Sequence, residues 1–73
     1  MELIKQYESV GFVPTQAQLD KLDALMKRFK ADRVTAMKDI YDGWMILDFA
    51  SLKDGEWKHF MTVGVGPEGD SHT

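Results

Sequence analysis

Between Thr15 and Lys30 the apolar residues fall at Leu19, Leu22, Leu25, Met26 and Phe29, a three-and-four spacing that lines one side of a helix. Thr15 and Gln18 stand just ahead, directly after Pro14, at the separation of a capping box. The pattern predicts an amphipathic helix of about four turns over residues 16–30. Asp20 and Asp23 lie toward its start and Lys27, Arg28 and Lys30 at its end, so the charges oppose the helix dipole.

Beyond Lys30 the period shortens to that of strands. Asp42-Gly43 and Asp54-Gly55 interrupt aromatic and β-branched runs, and Asp-Gly supplies the positive φ angles of a type I′ hairpin turn. Three strands are expected, near 33–41, 44–52 and 57–65. With two-residue loops the register places Tyr41 opposite Trp44, Ile40 opposite Met45, Phe49 opposite Phe60 and Ile46 opposite Val63. One face then carries Val34, Ala36, Ile40, Met45, Leu47, Phe49 and Phe60, with Lys38, and should receive the helix. The other carries Met37, Tyr41, Trp44, Ile46, Leu52, Trp57, Met61, Val63 and Val65 among Asp39, Asp48 and His59. A single extra residue in either loop would exchange the faces of a strand.

Two apolar faces and one long helix leave a surface to be covered. Leu3, Ile4, Tyr7 and Val10 have helical spacing, and Gly11-Phe12 resembles a helix C-terminus with its hydrophobic return contact. So short a helix has to pack on something, and the second sheet face is available. The small, polar segment 66–73 reads as a disordered tail. The expected fold is therefore α+β: a three-stranded antiparallel β-meander on one long helix, a single domain over 1–65, a short N-terminal segment and a flexible C-terminal tail.

A chain of 73 residues supports one core, and folding at this size hides roughly 60 % of the unfolded surface. The absence of cysteine removes disulfides and thiolate chemistry, and His59 and His72 alone do not make a zinc site. No cofactor is expected. No apolar run approaches the roughly 18 residues of a membrane span, and MELIKQYESV is not a signal peptide, so a cytoplasmic monomer without membrane contact is expected. Asp48 and His59 form the best acid–base pair, diagonal across neighbouring strands, but no nucleophile motif accompanies them. The chain is read as a non-enzyme. The glycines of GVGPEG lack a P-loop lysine and precede no helix, and they read as the end of a strand.

Charge is uneven. Lys27, Arg28, Lys30, Arg33 and Lys38 against Asp32 give a local sum of +4, so with a formal total of -3 the remaining chain sums to -7. These five basic residues are candidates for contact with nucleic-acid phosphates or an acidic protein surface, although much of the group is a helix end that favours cations anyway. The surplus of aromatic residues points to a protein partner. Ile4, Tyr7, Phe12 and Trp44 are the expected partner-binding residues, either as an exposed interface or as a second layer of core.

Taken together, the length and the run from MELIKQYESVGFVP through DGWMILDFASLKDGEWKHFMTVGV resemble the small RNA-polymerase-binding transcription regulators of Xp-ten-like lytic phages of Xanthomonas. The resemblance covers the whole chain without a diagnostic motif. It implies a regulator in the host bacterial cytoplasm that binds host RNA polymerase at the N-terminal region of the β′ subunit. It further implies σ displacement, which stops initiation at host promoters, and antitermination, with the basic residues near nascent RNA. Two alternatives stand beside it: an acidic inhibitor of another host nucleic-acid-processing enzyme, and a small RNA-binding module that stacks bases on Trp and Tyr.

Overall fold

The computed structural model describes all 73 residues. Strand β1 (Glu2–Lys5) leads through a 3-10 turn (Gln6–Val10) into helix α1 (Gln16–Arg28). Strands β2 (Arg33–Lys38), β3 (Met45–Lys53), β4 (Glu56–Val65) and β5 (Ser71–His72) follow. All five strands form one mixed sheet in the order β1-β2-β3-β4-β5, with β1 parallel to β2 and the other pairs antiparallel. The expected three-stranded meander is thus the centre of a larger sheet, extended at both edges.

At the first edge, the segment read as a short helix is half strand. Four residues close no stable helical turns on their own, whereas the exposed edge of β2 offers a ready ladder. Leu3 pairs with Val34 and turns toward the core, Ile4 pairs with Thr35 and turns away, and the Glu2 amide donates to the Asp32 carbonyl at 2.9 Å. The chain leaves the ladder at Gln6, and Tyr7 drops into the core. The Gly11 end matches its reading: Gly11 is left-handed at φ 72°, and Phe12 returns to set its ring 6.2 Å from that of Tyr7. The N-terminal segment therefore widens the sheet and does not cover its second face.

Helix α1 begins at the expected cap. The Thr15 hydroxyl accepts from the Gln18 amide at 3.1 Å, and the Thr15 amide donates back to Gln18 Oε1 at 2.9 Å. Leu22 and Leu25 are buried, with Met26 and Phe29 packed against the core they share with Val34, Ala36, Met45, Leu47, Phe49, Val63 and Val65. Phe29 and Phe49 meet edge to face at 5.2 Å. Leu19, expected on this stripe, stays 36 % exposed, and its neighbour Gln18 is buried in its stead.

The two hairpins depart from the expected register in different ways. Lys38 pairs with Met45, so residues 39–44 form the first loop, and Ile40 and Tyr41 lie outside the sheet and exposed. Asp39 explains this early exit. Its side chain accepts from the amides of Ile40 and Tyr41, an alternative to the ladder that short polar side chains offer the backbone. Gly43 has positive φ but Asp42 does not, so this is not the type I′ turn its Asp-Gly pair suggested. The slip is two residues, an even number, and the faces of β2 and β3 survive it. At the second hairpin Asp54 and Gly55 both have positive φ, as a type I′ turn requires, and Leu52 opposite Trp57 fits the expected pairing. A bulge then falls between Ala50 opposite His59 and Phe49 opposite Met61, leaving Phe60 unpaired. Beyond it the alternation of β4 inverts: Val63 and Val65 enter the core expected to hold Phe60, which is 47 % exposed.

The C-terminal segment is ordered, contrary to expectation. Its glycines make turns: Gly69, at φ 88°, donates to the Gly66 carbonyl, and the Gly66 amide donates to the Asp70 carbonyl at 2.8 Å. The Thr15 hydroxyl donates to the Pro67 carbonyl at 2.6 Å, which ties this turn to the start of α1. Ser71 and His72 then pair with Val65 and Gly64. Gln18 completes the junction by donating to the carbonyls of Gly43 and Val65 at 2.7 and 3.1 Å.

Candidate partner-binding face

Alternation along the central strands puts every fully buried sheet side chain on the side of α1, and no element crosses the opposite side. That open face is mixed, with apolar side chains on either side of a central polar row. Ile4, Met37, Ile46 and Ala50 are half-buried there, beside Thr35, Asp48 and Thr62. Side chains of this kind normally sit beneath a second layer.

An aromatic residue closes each end. At one end the Arg33 guanidinium lies 3.6 Å from the centroid of the Trp57 ring and bonds Glu2 Oε1 at 3.0 Å, next to exposed Leu52. At the other end Trp44 lies over Gly64 and Gly66 and stacks on His72, with ring centroids 5.6 Å apart. The two glycines alternate along the strand, so both present a bare backbone on the Trp44 side. A Cβ at Gly66 would stand 2.9 Å from the indole, so the ring can lie flat only because that atom is missing. The reading of GVGPEG as a strand end missed this floor, although glycine at every second strand position was the available signal.

A polar group interrupts the face. The Thr62 hydroxyl donates to Asp48 Oδ1 at 2.8 Å and lies 3.0 Å from His59 Nε2, while His59 Nδ1 is 3.6 Å from Asp48. The expected Asp48–His59 proximity is present, reached through a threonine the sequence reading did not single out. All three side chains lie on an open surface, where they satisfy one another, and no set of three His, Cys, Asp or Glu residues gathers to hold a metal ion.

The four expected partner residues separate into two pairs. Ile4 and Trp44 belong to the open face. Tyr7 is 5 % exposed in the core and Phe12 is half-buried against it; together with Val13 and Leu19 they border a hollow of about 360 Å³ at the start of α1. The basic residues likewise do not converge. Lys27 pairs with Asp23 at 2.9 Å, Arg28 lies 5.6 Å from the centroid of the Phe29 ring, Arg33 is engaged on the open face, and Lys38 donates to the Asp39 carbonyl. Only Lys30 joins other lysines. With Lys53 and Lys58 it rims a hollow over Ser51 and Phe60, a grouping made by the β3–β4 hairpin and invisible in the local charge sum.

No helix is long and apolar enough to cross a membrane. No protein family, curated protein or solved structure gives a significant match to this chain, so its site is defined by its own geometry.

Proposed function

We propose that this chain is a non-enzymatic phage regulator of the host cytoplasm that binds host RNA polymerase at the N-terminal region of β′. In this reading it inhibits initiation by displacing σ and promotes antitermination. The choice of partner rests on the sequence resemblance. The mode of action, occupying a protein surface, is carried by one observation: a sheet face on which Ile4, Met37, Ile46 and Ala50 are half-buried, bounded by Trp44 and Trp57, with no layer over it. Aromatic side chains at the borders of such a face are suited to anchor an interface.

The experiment is direct binding of the purified chain to purified core RNA polymerase and to its isolated β′ N-terminal region, with σ as competitor. The reading expects a complex with both and loss of σ from holoenzyme. Absence of binding to core enzyme overturns it. The lysines around Phe60 favour a second reading, contact with an RNA backbone. Tight, strongly salt-dependent binding to naked single-stranded RNA would move the assignment there.

A further inference from the structure

The β2–β3 loop and the returning C-terminal strand flank an open cleft of about 660 Å³ lined by Asp39, Tyr41, Asp42, Trp44, Gly64 and His72. Its lining combines aromatic rings with carboxylates and contains no lysine or arginine. The Trp44 indole is held on its glycine floor and stacked on His72, while Tyr41 is 68 % exposed. Asp39 is fixed by the amides of Ile40 and Tyr41, and Asp42 makes no ion pair. Asp70 adds a third carboxylate beside the indole: a Cβ at Gly66 would lie 2.5 Å from Asp70 Oδ1 and 2.9 Å from Trp44. Lys38 is the bordering cation, and its ammonium rests on the Asp39 carbonyl. Three carboxylates against one ammonium leave the surroundings negative.

We propose that this cleft is a recognition site for an arginine side chain presented by the protein partner. With the indole lying on its glycine floor and stacked on His72, the open ring in the lining is that of Tyr41, beside Asp39 and Asp42; a guanidinium stacks on such a ring through its plane and donates N–H groups from its edge to the carboxylates. An ammonium satisfies only the charge, and its tighter hydration shell resists transfer onto a ring. The proposal relies on the preceding function only in naming a protein as the bearer of the arginine. The chemistry of the cleft is tested without any polymerase present.

The test is a nuclear magnetic resonance titration of the full chain with N-acetyl-arginine amide, N-acetyl-lysine amide and N-acetyl-citrulline amide, the last a neutral analogue of arginine. The indole N–H of Trp44 reports the cleft and that of Trp57 serves as the internal reference. The arginine amide is expected to move the Trp44 signal saturably in the millimolar range, binding at least about fivefold more tightly than the citrulline amide and more tightly than the lysine amide. Asp42→Asn and Tyr41→Ala, both at exposed positions, are each expected to weaken that binding by roughly threefold while leaving the rest of the spectrum in place. Equal response to citrulline, preference for lysine, equal movement of Trp57, or no saturable movement of Trp44 would each overturn the assignment. Failure of polymerase binding with a normal arginine response would overturn the function and leave the cleft standing.

Discussion

Replacing Gln18 by Met tests how the elements are joined. Gln18 is fully buried, and its side chain makes three hydrogen bonds: it accepts from the Thr15 amide and donates to the carbonyls of Gly43 and Val65. These bonds connect the start of α1, the β2–β3 loop and the end of β4. Methionine keeps the approximate volume and the helix propensity, so the loss is confined to hydrogen bonding. The half of the capping box that is removed contributes about 1 kcal/mol. The Val65 carbonyl keeps its place opposite Met45 in the β3–β4 ladder and loses only its second bond, and the Gly43 carbonyl in the half-buried loop loses its bond from Gln18, each at about 0.5–1.5 kcal/mol. The expected loss is about 2–4 kcal/mol, from a total of roughly 4–11 kcal/mol for a domain of this size. At about 4–8 °C per kcal/mol, the midpoint should fall by at least about 8 °C. Thermal unfolding followed by circular dichroism reads it, with Gln16→Met as control, because Gln16 bonds only Asp20 on the exposed surface. Equal shifts for the two variants would show that the buried bonds of Gln18 do not join these elements.

Phe49→Ala, at a side chain with no exposure in the central part of the sheet, should cost about 3–5 kcal/mol in urea unfolding. Phe29→Ala, at a half-buried position, should cost less, and a reversed order would move the core. Gly66→Ala forces a methyl group into the space between Asp70 and Trp44 and should destabilise by about 1–3 kcal/mol, with a change in tryptophan fluorescence; an unchanged spectrum would remove Trp44 from its glycine floor. Lys27→Glu reverses one charge of an exposed pair and should shift stability by less than about 1 kcal/mol, whereas Arg33→Glu loses both Glu2 and the Trp57 ring and should cost more; chemical denaturation of both variants compares them.

The parts of this fold legible in the sequence are those set by local chemistry. Thr15 and Gln18 announce the helix, Asp54-Gly55 announces its hairpin, and the alternation around Leu47 and Phe49 identifies the buried face. The departures arise where a nonlocal partner decides. Leu3 and Ile4 fit either period, and the free edge of β2 selects the strand. Phe60 is bulged out by the pairing beyond it, which no turn residue signals. Asp70 and Gly69 have the composition of a disordered tail, yet Thr15 and Ala17 of the distant helix hold their turn in place. The site follows the same division. A surplus apolar face was legible by counting faces against helices, but the grouping of Trp44, His72 and Asp42 depends on that ordered return of the chain.

If the face opposite α1 meets the partner, its strands are covered in the complex. Hydrogen–deuterium exchange of the chain with and without core RNA polymerase tests it most directly, because each strand amide reports whether its region is covered. Added protection is expected in the strands carrying Ile4, Met37, Ile46 and Ala50 and in the loop before Trp44, with none along the outer face of α1 around Ala24 and Arg28. Protection concentrated on α1, or a complex that leaves the open sheet unprotected, would contradict it.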